Sequence, residues 1–207
     1  MAKYIIGGVC IVLAAGIGYY FWSIMGELPD PGTERSPGVS QIATSTYATT
    51  TFSIVYPREY IADDTYAYTG VPNKPIAGVK FTVPQSLTSA TNLSSDTYVS
   101  VESLPRAKSC TGDIYLPVDV RAETKTENGV SYSVASSSSA GAGNFYEEFV
   151  YALSGTSPCI AVRYHIHSMN IGNFATSTEV REFDRNALLS AFDEIRRSLQ
   201  LRSNLTP

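Results

Sequence analysis

An uncharged, almost wholly apolar run from Tyr4 to Met25 (YIIGGVCIVLAAGIGYYFWSIM) follows Lys3 and constrains this chain more than any other segment. At a helical rise of about 1.5 Å per residue the run spans roughly 33 Å, enough to cross a hydrocarbon core of about 30 Å. Residues 1–25 therefore read as a single transmembrane helix. Lys3 precedes the run, whereas Glu27, Asp30 and Glu34 follow it. This bias puts the N-terminus in the cytoplasm and everything after Met25 outside it. Tyr19, Tyr20 and Trp22 then form the aromatic belt at the outer interface. A cleavable signal peptide is the competing reading, because Ala14-Ala15-Gly16 offers a small-x-small site. Cleavage there would leave Ile17–Trp22 as an apolar terminus, which favours the uncleaved anchor. Cys10 lacks the flanking residues of a lipid-modified cysteine and reads as a small buried apolar residue. Ala14 and Gly18 have the small-xxx-small spacing of a helix contact.

The chain has 207 residues, so about 180 remain beyond the anchor, the length of one domain plus a tether. Net charge is −4 with scattered Lys and Arg, which excludes the electrostatic footprint of a nucleic-acid binder. Fourteen tyrosines with abundant Thr, Ser and Val suit a pleated, half-buried surface. Outside the membrane run stand Cys110 and Cys159, and an oxidising compartment makes a disulfide between them the expectation. Two separately buried thiols are the other possibility. Closing a loop of about 50 residues would stabilise the fold by roughly 4 kcal/mol in the chain-entropy model.

Residues 26–46 are rich in Pro, Gly and Ser and read as a tether, with Pro29, Pro31 and Pro37 denying both helix and strand. At about 3.1 Å per residue it reaches up to about 60 Å from the bilayer. Residues 47–201 then form one extracytoplasmic domain, followed by a tail at 202–207. Alternation predicts a strand with Phe52, Ile54 and Tyr56 on one face, stopped by Pro57. Tyr60 to Tyr68 reads as its hairpin partner. Further strands are predicted at Val79–Val83 and Thr97–Leu104, separated by a Ser/Thr/Asn-rich loop. Asn128-Gly129 marks a tight hairpin into Val130, Tyr132 and Val134. Ser136 to Gly143 reads as a flexible connection into a central strand at Asn144–Leu153. Cys159–Ser168 places Ile160, Val162, Tyr164 and Ile166 opposite Arg163, His165 and His167. A closing helix is predicted from Phe183 to Ser198, with Leu188, Phe192, Ile195 and Leu199 on one face.

These pieces resemble the PsbP-like fold, known from the extrinsic protein of the photosynthetic oxygen-evolving complex and from a Ran-binding nuclear-transport factor. The resemblance is carried by Phe52-Ser53-Ile54-Val55-Tyr56-Pro57, Val79-Lys80-Phe81, Tyr98-Val99-Ser100-Val101 and Glu127-Asn128-Gly129-Val130-Ser131-Tyr132. It continues through the strands at 144–153 and 159–168 to Phe192-Asp193-Glu194-Ile195-Arg196-Arg197-Ser198-Leu199. It implies an α+β domain, an antiparallel sheet flanked by helices, and a binding or assembly role with no transferable active site. The anchor and the cysteine pair depart from that pattern.

Candidate chemistry is sparse. His165 and His167 share a strand face, where two imidazoles can grip a metal, but a third ligand among Glu147, Asp193 and Glu194 is not identifiable from sequence. Two hydrogen-bonded structural histidines explain the same spacing. Asn170 and Asn173 follow that strand and either line a binding site with Arg163, His165 and His167 or satisfy local backbone. Glu147 and Glu148 point to opposite faces and cannot act as a carboxylate pair. No G-x-S-x-G, S-x-x-K or H-E-x-x-H occurs, and Gly141 and Gly143 lack the context of a phosphate loop, so no cofactor is implied. Asn92-Leu93-Ser94 and Asn204-Leu205-Thr206 match the glycosylation pattern. The expectation is a membrane-anchored module that binds an unknown protein or envelope component. An enzyme centred on His165 and His167 is the first rival. A pilin-like assembly subunit is the second, opposed by the tether prolines and by the absence of a glutamate early in the apolar run.

Overall fold

Alternation of apolar and polar residues over the two longest predicted strands produces the centre of the sheet in a computed structural model of the chain, which describes residues 42–175 and 179–202. β1 (Thr44–Ala48) and β2 (Phe52–Pro57) lead into β3 (Ile61–Asp63), β4 (Ala67–Tyr68) and β5 (Ile76–Thr82). A single helical turn, α1 (Gln85–Thr88), precedes β6 (Tyr98–Leu104). Then come β7 (Glu123–Glu127), β8 (Val130–Gly141), β9 (Asn144–Leu153) and β10 (Cys159–Met169), the helix α2 (Arg185–Arg197) and β11 (Gln200–Leu201). Short 3-10 turns occupy Asp113–Tyr115 and Ile171–Asn173.

The fold is mostly β. Eight strands form an antiparallel sheet in the order β3-β5-β6-β10-β9-β8-β7, with β4 also on β5, and a smaller sheet has the order β1-β2-β11. In the large sheet Val79, Phe81, Val99, Val101, Val162, Tyr164 and Ile166 meet Leu188, Phe192 and Ile195 of α2, together with Phe52 and Ile54 of the small sheet. Burial of such side chains contributes about 1.5–3 kcal/mol each before chain entropy is subtracted. α2 starts where Asp184 accepts a hydrogen bond from the Ala187 N–H at 2.9 Å. Arg196 and Arg197 in its last turn complement the helix dipole. Just beyond it, the Ser198 hydroxyl accepts from the Val55 N–H at 2.9 Å, which ties the helix end to the small sheet.

The opposite face carries no packed helix among the described residues, which corrects the expectation of a sheet flanked by helices on both sides. Its cover is Tyr68 together with the 3-10 turn at Tyr115 and Leu116, packed on Ala135, Val150, Ala152 and Ala161. Small side chains on the strands let loop backbone approach where a helix would not fit. This cover is pinned by a disulfide between Cys110 and Cys159, whose Cα atoms stand 5.0 Å apart.

Several local expectations change. Residues 44–46, placed in the tether, belong to β1, where Thr44 to Ala48 pair with β2 through backbone groups that the side-chain pattern does not report. The segment 60–68 pairs with β5 rather than returning along β2. Residues 85–96 include α1, and buried Asn92 there donates to the Met169 carbonyl at 2.7 Å and accepts from the Phe183 N–H at 2.9 Å. An Asn92 side chain so engaged has no place for a glycan. The serine run is strand: β8 continues through Ser136–Ser139 to Gly141, and the turn is confined to Ala142 and Gly143, with φ of 49° and 79°. Asn128 and Gly129, with φ of 50° and 80°, make the matching two-residue turn between β7 and β8. The anchor, most of the tether, the second glycosylation pattern and all but Arg202 of the tail lie outside the described residues. Among the described residues no helix is long and apolar enough to cross a membrane.

Candidate functional site

Strand β10 sends Val162, Tyr164 and Ile166 toward α2 and therefore Arg163, His165 and His167 to the other face. Arg163 is fully buried there. Its Nε and Nη2 donate to the two carboxylate oxygens of Glu102 at 2.7 and 2.9 Å, a fork-on-fork pair. Its Nη1 donates to Glu148 at 3.0 Å, Nη2 also reaches the Tyr115 carbonyl at 2.7 Å, and the guanidinium lies 3.4 Å from the centroid of the Tyr68 ring. Glu102, equally buried, also accepts from the Ser100 hydroxyl at 2.8 Å and the Tyr66 hydroxyl at 3.1 Å.

Burial pushes the Arg163 guanidinium toward its neutral form, and the charges of Glu102 and Glu148 outweigh that, so its pKa lies above the ordinary value. Burial also pushes the Glu148 carboxyl up. Hydrogen bonding from His165, the charge of Arg163 and the Tyr68 hydroxyl outweigh it, and Glu148 is held below the carboxylate range. Tyr66, Tyr68, Tyr98 and Tyr115 are all raised, chiefly by burial.

The two histidines continue this network outward. His165 Nδ1 stands 3.3 Å from Glu148 Oε1, and its ring stacks on Tyr98 at 4.8 Å. His167 Nδ1 stands 2.7 Å from Asp96 and its Nε2 3.0 Å from Asn144 Oδ1, with the ring stacked on Tyr146 at 4.4 Å. The Asn144 amide is oriented by donation to the Ala142 carbonyl at 3.2 Å, so both ring nitrogens of His167 face oxygen. Burial raises the Asp96 carboxyl, and hydrogen bonds from Ser94 and His167 more than reverse that, leaving it lowered.

Of the sequence candidates, Arg163 and His165 join one network through Glu148, and His167 neighbours it through Tyr146. Asn170 and Asn173 do not. Asn170 accepts from the Gly172 N–H at 2.9 Å to start the 3-10 turn, and Asn173 donates to the Gly143 carbonyl at 3.1 Å. The expected third metal ligands also lie elsewhere. Glu147 pairs opposite Ile166 on the α2 side and binds Arg185 at 2.6 Å, while Asp193 on α2 accepts from the Tyr164 hydroxyl at 2.8 Å. Among the described residues no group of three or more His, Cys, Asp or Glu side chains is arranged to hold a metal ion. Sequence reasoning missed Glu102, Glu148, Asp96 and Asn144. The parity of Glu148 was visible, but the register that places it opposite His165 was not.

Past the N-terminal end of α2 lies a groove of about 740 Å³. Ser138, Phe145, Glu147, Ser168, Asn170 and Arg185 are among its lining residues. Phe145 in its lining is 45% exposed, an uncommon position for a large apolar ring.

No family model matches the chain, and no curated protein does. Five chains of solved structures are similar to it. One is a protein of Bacteroides thetaiotaomicron VPI-5482 whose crystal structure is at 1.50 Å resolution, with 10% identity and a TM-score of 0.39. The match covers 73% of this chain and 45% of that one, so the chain spans less than half of that protein's length. A similarity of this degree carries no argument about function.

Proposed function

We propose that the chain is a membrane-anchored, extracytoplasmic binding or assembly module, non-catalytic, whose folded part is PsbP-like. The observation that carries this reading is the mutual consumption of the inner charges. Arg163 and Glu102 are fully buried and bonded to each other, and Glu148 is held by Arg163 and Tyr68. A general acid or base has to reach a substrate proton, and Arg163 and Glu102 are closed off from solvent. What faces outward is a row of half-buried rings, His165, Tyr146 and His167, with His165 backed by the buried Tyr98 ring, a surface suited to recognition. The Cys110–Cys159 disulfide supports an oxidising compartment and agrees with the orientation read from Lys3 and the downstream acids.

One observation favours an enzyme instead: Glu148 orients His165 as a carboxylate orients a catalytic imidazole. The test uses the full chain in its membrane. A photo-crosslinking side chain at Tyr146 is expected to capture one discrete partner, and the same group at Thr88 on α1 is not. Equal capture at both positions contradicts the binding reading. Hydrolysis of model esters, peptides or phosphoesters, or stoichiometric metal, abolished by His165→Ala with His167→Ala, establishes the enzyme.

A further inference from the structure

Strand β8 is 12 residues long, but β7 covers only its first part: Glu123–Glu127 pairs with Val130–Val134 and the ladder stops. From Ser136 to Gly141 the strand is paired on one side alone, to β9. The hairpin turns identify the groups left over. Both turns flanking β8 have two residues, so Val130 exchanges hydrogen bonds with Glu127, and Gly141 with Asn144. Alternation then directs the N–H and C=O of Ser136, Ser138 and Ala140 away from β9, and none of them has a partner among the described residues.

Sheet edges are ordinarily blunted by charge, proline, a bulge or a covering segment. β7 carries Glu123, Lys125 and Glu127. The run 135–143 (ASSSSAGAG) has no charge and no proline, and Ser136, Ser138, Ser139, Ala140 and Gly141 are exposed.

We propose that this free edge pairs antiparallel with the same edge of a second copy of the chain, about a twofold axis at Ser138. In that register Ser138 faces its own counterpart and Ser136 faces the partner's Ala140, and about six hydrogen bonds satisfy every outward group on both copies. A strand that is its own complement closes on itself and leaves no edge to propagate. Ser and Ala side chains on both faces pass without collision. The charges next to the axis are already neutralised within each copy, Glu147 by Arg185 and Glu148 by Arg163. Three strand spacings separate Glu147 from its counterpart by about 14 Å, which exceeds the Debye length of about 10 Å at 0.1 M salt. A charged partner strand finds no complement on such an edge, whereas a neutral one identical to it does. Strand pairing alone buries less than the roughly 1,200 Å² of a stable interface, so concentration of copies drives the association. The inference does not depend on the ligand of the proposed module.

The test is register-specific crosslinking of the full chain in membranes, in a Cys10→Ser background, with a bismaleimide that spans about 8 Å, between one and two strand spacings. Ser138→Cys crosslinks to itself. Ser136→Cys alone does not, because four residues along the strand put its counterpart about 14 Å away; mixing it with Ala140→Cys restores the product. Adding Ser138→Pro to that mixture lowers the crosslinked fraction at least about ten-fold, since proline removes an outward N–H and no bond to β9. The proposal is overturned if Ser138→Cys yields no dimer, if Ser136→Cys self-links as well as the mixture, or if Ser138→Cys captures a different protein.

Discussion

Arg163 holds Glu102 through two parallel hydrogen bonds of 2.7 and 2.9 Å with neither side chain exposed to solvent. Such a pair is weak evidence of net stabilisation, yet breaking it leaves one uncompensated charge in the interior. Arg163→Met is therefore expected to cost about 3–5 kcal/mol. Combining it with Glu102→Leu recovers a large part of that loss, because no orphan carboxylate remains at position 102. Urea unfolding of the single and double variants decides the matter. A single variant within about 1 kcal/mol of the parent would show that the pair is not buried as described.

The disulfide closes a segment with a sequence separation of 49. Its loss, by reductant or by Cys110→Ala with Cys159→Ala, is expected to lower stability by roughly 4 kcal/mol. The comparison of urea midpoints with and without reductant measures this. The loop carrying Tyr115 and Leu116 should be the first segment to gain hydrogen exchange, since the bridge pins it to β10. Unchanged exchange there would refute the pinning.

Acid sensitivity follows from Glu127, whose carboxyl is lowered from 4.5 to about 2, first by the hydrogen bond from Lys125 and next by that from Arg196. A carboxylate with a depressed folded-state pKa contributes stability that is present above its unfolded pKa and lost as pH falls through the folded value. The contribution is therefore complete above 4.5 and disappears as pH approaches about 2. Glu148 and Asp96, also lowered, act in the same direction. Glu127→Gln should flatten the fall in unfolding free energy across this window. A carbon-detected titration placing Glu127 near its ordinary value would remove the basis for this.

Gly112 tests how closely the loop approaches the sheet. A methyl group on it would meet Ala135 N at 2.7 Å and Ser133 O at 2.9 Å, both backbone atoms. Gly112→Ala is expected to cost about 1–3 kcal/mol, the usual range for overpacking. Gly129→Ala meets no neighbour but must hold φ of 80°, and it should cost roughly 1–2 kcal/mol. Thermal unfolding of the two variants separates crowding from backbone strain. If Gly112→Ala melts with the parent, the loop is looser than its contacts indicate.

Much of the local structure was legible in the sequence. Asn128-Gly129 demanded a hairpin because two consecutive positive φ angles suit Asn and Gly. The spacing of Leu188, Phe192, Ile195 and Leu199 marked α2 because a helical stripe is written within a few residues, whereas the capping role of Asp184 came from the structure. Ser136–Ser139 misled because backbone hydrogen bonds to β9 do not need apolar side chains, so a strand held by its neighbour leaves little trace in composition. The histidines were visible as a pair, but their partners were not. Glu148, Asp96 and Asn144 come from other strands and loops.

The order of apolar and polar residues by itself determined β2, β5, β6, β9 and β10, the turn at Asn128-Gly129 and the closing helix α2, since each depends on periods and dihedral preferences that act over a few positions. It made a Cys110–Cys159 bridge the expectation and left two separate thiols open, which the 5.0 Å between their Cα atoms decides in favour of the bridge. Tertiary structure alone decided that β10 lies between β6 and β9, which brings Glu102 and Glu148 to Arg163 and leaves Glu147 on the other side with Arg185. It alone decided that β7 ends before Ser136 and bares an edge. Both outcomes depend on which strands become neighbours across long stretches of chain, and that choice is made by burial and packing summed over the whole sheet rather than by any local pattern.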